Sequence, residues 1–239
     1  MRPCFSPPSG KLLFKKQAQQ LMSELKRWSV PDLMRQMKLS EEKGNETFHM
    51  IQQWGAKKNQ INSAPALFAY IGEAFKALDA DHLKEEEVAY LNKHLFILSG
   101  LYGLLRANDL IEPYRLEMAQ RGVAPEEQSL YHFWRADVEK NMLKQLTKGE
   151  SLLNLASSEY SDLLQAPKLR SIMYTPHFYE KKNGELKSVS VFSKQARGTM
   201  ASWCAINNIV QPLDIKSFDA LGYQFSSENS DGNELVFIR

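Results

Sequence analysis

At 239 residues with 43% hydrophobic side chains, the chain can bury a core of its own, and one compact domain over residues 1–239 is the expected organisation. No stretch approaches the ~20 apolar residues of a membrane helix, and the N-terminus MRPCFSPPSGK lacks the apolar run of a secretory signal, so a cytoplasmic, monomeric protein with no membrane partner is expected. Two cysteines, Cys4 and Cys204, are too few for a metal cage and too far apart for a C-x-x-C redox pair, and they read as free thiols. The net charge of +2 conceals an uneven distribution: residues 1–38 carry eight basic and two acidic side chains, residues 168–197 carry seven and two, and the remainder is acidic. If the two basic segments meet in space they focus a positive potential suited to phosphate-bearing partners. If they point apart they are two solvated faces, and both readings stay open.

The first half reads as helical. Residues 15–27 space Leu21, Met22 and Leu25 on one stripe, and Pro31-Asp32 after Ser29 marks a fresh helix start. A helix follows at about 40–54, where Ser40 caps and Glu41 and Glu42 occupy the first turn, and another at 65–78 through Leu67, Phe68, Ile71, Phe75 and Leu78. The spacing predicts a further helix over 82–98 through Val88, Leu91, Leu95 and Leu98, with Gly100 as its stop, and one over about 129–147. The second half changes period. Leu152–Ala156 is a strand candidate, and Asn183-Gly184 marks a hairpin within Ile172–Phe192. A helix is expected at about Thr199–Asn207, and a second hairpin at Leu221–Ile238, with Ser226–Asn233 as its polar loop. Helices first and strands later predict a mixed α+β or α/β fold: a helical N-terminal half packed with a mixed sheet built largely from C-terminal strands and hairpins.

Four segments carry candidate chemistry. Ser99–Met118 places Gly100 and Gly103 in an apolar run, beside charges that alternate through Arg106, Asp109, Glu112, Arg115 and Glu117. A helix ending at Leu98 and another starting near 104 would present this turn as a helix–hairpin–helix-like element whose main-chain N–H groups meet a phosphate. The alternative is a helix cap with an ion network. Lys194 and Arg197 precede the helix expected at 199, where the positive end of the helix dipole asks for a phosphate or a carboxylate partner. Asn154, Ser157 and Glu159 stand where a strand runs into a polar turn, as ligand groups or as helix caps. Ser6–Lys11 is a rigid turn ending in a cation, without the spacing of a Walker loop. No G-x-S-x-G, H-E-x-x-H or dinucleotide glycine motif occurs, and the five histidines lack metal-ligand spacing, so no metal and no cofactor is expected.

Taken together, the runs Leu98–Arg106, Pro113–Met118, Asn154–Ser157 and Glu159-Tyr160, with Asp109, Phe133-Trp134, Lys194, Arg197-Gly198, Met200, Gly222-Tyr223, Phe225 and Glu234–Phe237, resemble the YaaA peroxide-stress family. The resemblance covers roughly residues 60–239, with a weaker echo at Phe5-Ser6-Pro7. The chain departs from the family in its short stretch before Phe5, in Ser9-Gly10 before Lys11, and in Ala107 where proline often follows the arginine. The resemblance implies a compact mixed α/β protein with a positively charged cleft, a helix–hairpin–helix-like element, double-stranded DNA as partner, and protection against hydrogen peroxide damage.

Two functions follow. In the first, Arg106, Arg115, Lys194 and Arg197 neutralise DNA phosphates, supported by Lys11, Asn154, Ser157 and main-chain donors of the turn Ser99, Gly100, Tyr102 and Gly103. In the second, the same residues form a site for a nucleotide, nucleobase or other small phosphorylated ligand, with Glu117 or Glu159 as general acid or base.

Overall fold

A computed structural model describes residues 12–56 and 62–239; Cys4, the Ser6–Lys11 turn and the Lys11 side chain lie outside the described residues. Three helices come first, each set by its own punctuation. Helix α1 (Lys15–Leu25) buries Ala18, Leu21, Met22 and Leu25, the spacing of a single helical stripe. Helix α2 (Val30–Met37) starts with a capping box, in which Ser29 accepts from the Asp32 amide and Asp32 accepts from the Ser29 amide; both orphan donors are satisfied. The Ser40 hydroxyl caps helix α3 (Glu41–Gln53) by accepting from the Lys43 amide, and Glu41 and Glu42 sit at its positive end.

The helix expected over 65–78 is divided. Strand β1 (Ala64–Pro65) leads into a single turn, α4 (Ala66–Ala69), and α5 (Glu73–Leu78) restarts after extended Gly72. Helix α6 (Glu85–His94) matches the dipole at both ends, with three glutamates in its first turn and Lys93 and His94 in its last. It stops four residues before Leu98. Phe96–Ser99 (β2) and Gly103–Arg106 (β3) are antiparallel strands, with Ser99 opposite Gly103. The glycine-rich turn is therefore the tip of a β-hairpin, which corrects the expected helix–hairpin–helix element. A short apolar run shows no period that separates strand from buried helix, and the preceding helical stripe extends into it by coincidence. Strand β4 (Leu110–Ile111) then pairs with β1, and α7 (Leu130–Gln145) falls where it is expected.

Beyond α7 the sheet is built from β5 (Leu152–Leu153), β6 (Met173–Lys182), β7 (Glu185–Lys187), β8 (Gln224–Asp231) and β9 (Glu234–Ile238), with the single turns α8 (Ser158–Ser161) and α9 (Pro167–Arg170) between β5 and β6. Its order is β5-β6-β9-β8, with β7 paired to β6; β6 runs parallel to both β5 and β9. Residues 226–231, expected as a loop, lie in β8, an edge strand whose pairing shifts between Ser226 and Asp231. Helix α10 (Ser190–Ile206) starts nine residues earlier than expected.

The chain divides into two compact units. The helical unit takes the described residues up to Ala69 together with Phe96–Met142. Its core contains Leu21, Met22, Leu33, Ile51, Leu101, Leu104, Leu105 and Trp134, all fully buried; each such side chain contributes about 1.5–3 kcal/mol by leaving water. The sheet unit takes Tyr70–Leu95 and Leu143–Arg239. There α10 covers the sheet through Ala196, Met200 and Cys204, against Phe178, Phe218, Tyr223, Leu235 and Phe237. The same helix packs on α5, where a side chain at Gly198 would meet the backbone oxygen of Ala74. No helix among the described residues is long and apolar enough to cross a membrane.

Candidate phosphate-binding residues

In the helical unit the β2–β3 hairpin is an interior element. Ser99, Gly100, Leu101, Tyr102 and Gly103 are all buried, and the room left by the missing side chains is already taken. A Cβ at Gly100 would strike the backbone of Leu116, and one at Gly103 (φ +68°) would lie 2.7 Å from the Trp134 ring. Trp134 also donates its indole N–H to the Gly100 carbonyl at 2.9 Å. These glycines thus admit protein, a left-handed backbone being needed only at Gly103.

The polar atoms of the hairpin are committed as well. The Ser99 hydroxyl accepts from the Tyr102 amide at 2.9 Å and pairs with the Tyr114 hydroxyl at 2.7 Å. Tyr102, 2% exposed, receives hydrogen bonds at its hydroxyl from the Trp54 indole (3.0 Å) and the Glu112 amide (3.2 Å). Burial pushes its phenol up to about 12. In this structure Ser99 and Tyr102 tie the hairpin to the loops around it.

The charges that follow divide by exposure. Asp109 is buried and accepts from the Arg106 amide at 2.8 Å, closing the turn after β3, while the Arg106 guanidinium lies over the Phe96 ring at 4.0 Å. Arg115 and Glu117 are exposed, and Arg115 forms no ion pair among the described residues.

In the sheet unit, Asn154 extends the pairing of β5 by donating its amide to the Tyr174 carbonyl at 2.8 Å. Its side-chain oxygen accepts from the Ala156 amide at 3.2 Å, an Asx turn that fixes the strand exit. Ser157 follows at the N-cap of α8 with no side-chain capping bond. Glu159 lies in the first turn of α8 and is half-buried.

Lys194 and Arg197 occupy the fifth and eighth residues of α10 instead of preceding a helix. The helix dipole asks for no negative partner there, because its effect fades within the first turn. Desolvation takes its place. Arg197 shares the inward face of α10 with Ser193, Met200 and Cys204, and it is half-buried. Burial alone holds its guanidinium below the ordinary arginine value, with no carboxylate among the causes. It forms no hydrogen bond or ion pair among the described residues, and neither does Lys194, exposed one turn earlier on a neighbouring line of the helix.

Elsewhere on the helices the acids are engaged locally. Glu24 holds Arg27, Asp32 holds Arg35, Glu46 holds Lys43, and Glu73 holds Lys76, each three residues apart. Sequence reasoning missed a polar cluster at the root of the β6–β7 hairpin. Glu180 accepts two bonds from Arg239 Nε, both 2.8 Å, and one from the Tyr223 hydroxyl at 2.6 Å. Arg239 and Tyr223 are 59 and 43 residues from Glu180, and the registers of β6 with β9 and of β8 with β9 bring them together.

The family model described as peroxide stress protein YaaA matches residues 3–229. A UPF0246 protein of Saccharophagus degradans is 38% identical over 222 residues, 92% of this chain and 87% of that protein. One from Legionella pneumophila strain Philadelphia 1 is 39% identical over 239 residues (98% and 93%), and one from Clostridium perfringens is 36% identical over 243 residues (100% and 94%).

Proposed function

The chain belongs to the peroxide stress protein YaaA family, and from that premise we propose that it protects against hydrogen peroxide by binding double-stranded DNA through its phosphates. The observation that carries the reading is Arg197, a half-buried guanidinium with no acid among the described residues to offset its desolvation. A cation stripped of water without a counter-charge costs stability, and a protein that retains one gains when an anion arrives. Within the sheet unit Lys194 adds an exposed cation; within the helical unit Arg115 is exposed and the Arg106 guanidinium lies over the Phe96 ring, and neither Lys194 nor Arg115 forms an ion pair among the described residues. Asn154 and Ser157 supply neutral hydrogen-bonding groups.

Charge of this kind recognises the backbone and carries no sequence information, so binding is non-specific and salt-sensitive. A DNA-coating role also fits the chemistry of the Cys204 thiol. At 5% exposure, with burial pushing it up to about 12, it stays protonated, whereas a peroxide-reactive thiol must be a thiolate within reach of solvent. Peroxide removal at Cys204 is not how this chain would act.

Anisotropy of a short labelled duplex tests the reading. The protein should bind at low salt, and Lys194→Ala with Arg197→Ala should weaken that binding. Absence of duplex binding, or an unchanged affinity in the double variant, would refute it. A rise in melting temperature with nucleotides or phosphosugars and none with duplex would replace DNA by a small phosphorylated ligand.

A further inference from the structure

We propose that the β6–β7 ribbon is a groove-contacting arm for duplex DNA, an inference that rests on the phosphate-binding reading above. The ribbon leaves the sheet. The last residue of β9 paired with β6 is Ile238, opposite Tyr179, and the final bond between them runs from the Lys181 amide to the Arg239 carbonyl. Beyond that point β7 is the only strand beside β6 among the described residues, with Lys181 opposite Leu186 and Lys182 opposite Glu185.

Residues 181–188 are exposed throughout. Asn183 (φ 53°) and Gly184 (φ 83°) close the tip with two left-handed residues, the two-residue turn whose twist matches that of paired strands. The tip is thus a regular ribbon of fixed register instead of a loose loop.

Its charges are also sorted. Glu185 answers Lys187 at 3.0 Å, while Lys181 and Lys182 have no ion pair among the described residues. Adjacent residues on a strand point to opposite faces, so these two ammonium groups project from the two sides of the ribbon. A two-stranded ribbon fits the major groove, about 12 Å wide and walled by phosphates on both sides; one lysine then reaches each wall. Lysine contributes a point charge without the planar fork of arginine, which suits contact with the backbone and not with a particular base.

The root is held in place. Arg239, bonded twice to Glu180, also lies over the Phe192 ring at 4.5 Å and the Tyr223 ring at 4.8 Å. Arg239 and Tyr223 therefore both hold Glu180, from which the free part of the ribbon starts, and Arg239 is itself packed against Phe192. An arm anchored this way keeps its lysines in position before DNA arrives, which lowers the ordering cost of binding.

The test uses the full chain with Lys181→Gln and Lys182→Gln, and measures duplex affinity over a range of salt concentrations. With about 0.9 counterions released per phosphate contact, the slope of log affinity against log salt should become shallower by about 1.8, and affinity near 0.1 M salt should fall by some tens of fold. Lys140→Gln with Lys144→Gln, which removes equal charge from exposed positions of α7, should leave the slope unchanged. Equal loss in both variants, or no loss in the ribbon variant while the wild type binds, would overturn the arm and leave the phosphate reading standing. Failure of the wild type to bind duplex would overturn both. Unchanged melting of the ribbon variant without DNA separates lost contacts from lost folding.

Discussion

Replacing Arg197 by methionine separates a ligand-binding cation from a structural one. Methionine keeps an apolar stem of similar reach in the inward stripe of α10 and removes only the guanidinium. The folded state lowers the proton affinity of Arg197 relative to the unfolded chain, through burial, so its charged form costs stability across the neutral range, and deleting the charge returns that cost. The expected change in unfolding free energy runs from zero to a gain of about 1 kcal/mol, within the range for replacing buried charge by apolar groups. For a protein of this size that is a rise in melting temperature of about 2–4 °C at most. Thermal unfolding followed by circular dichroism reads it directly. Duplex at a hundredfold excess over Kd should stabilise the wild type by about 2.7 kcal/mol and raise its melting temperature accordingly, and this increment should shrink in Arg197→Met. Were Arg197 held in an ion pair, its loss would instead cost about 3–5 kcal/mol by stranding a buried acid. A melting temperature lowered by several degrees, with stabilisation by duplex intact, would refute the assignment.

Other consequences of the geometry are open to test. Tyr102→Phe removes the oxygen that receives Trp54 Nε1 and the Glu112 amide and should cost about 1–3 kcal/mol in denaturant unfolding, while duplex affinity stays at the wild-type value; a selective loss of affinity would instead place the phenol at the ligand. Gly103→Ala must adopt a left-handed backbone and push against Trp134, so the summed penalties of about 1–2 and 1–3 kcal/mol should appear as a marked fall in denaturation midpoint. A wild-type midpoint there would mean that the hairpin is not packed as described. In a Cys4→Ser background, Cys204 should resist iodoacetamide at mildly alkaline pH until denaturant is added, since burial pushes its thiol up to about 12; rapid labelling of the folded protein would contradict its placement beneath α10.

The early helices were legible because each carries a local signature: a serine cap, acids in the first turn, and one apolar stripe, as at Ser29, Asp32, Ser40 and Glu41. The β2–β3 hairpin was not, because Phe96–Arg106 is short, apolar and continuous with the stripe of α6, and period alone does not separate a buried strand from a buried helix. Helix α10 was placed late because Val191 and Phe192 favour strands and Val189 offers no side-chain cap. That displacement changed the physics of the candidate site. Lys194 and Arg197 lie within the helix and not before it, where desolvation and not the helix dipole acts on Arg197. The Asn183-Gly184 turn was evident from the sequence, whereas the Glu180–Arg239–Tyr223 anchor below it depends on strand register, which no local pattern encodes. Residue type suggests which side chains can meet a phosphate, but it does not reveal that Ser99, Gly100, Tyr102 and Gly103 are buried while Arg115 and Lys194 are exposed.

In the proposal above, Lys194 and Arg197 have no acid partner among the described residues because phosphates occupy that role. Duplex affinity measured from low to moderate salt, for the wild type and for Lys194→Ala with Arg197→Ala, tests it most directly. Two lines of different slope are expected, the variant shallower by about 1.8 on logarithmic axes, one lost phosphate contact for each cation. Parallel lines would contradict it, since two cations that touch no phosphate release no counterions when DNA binds.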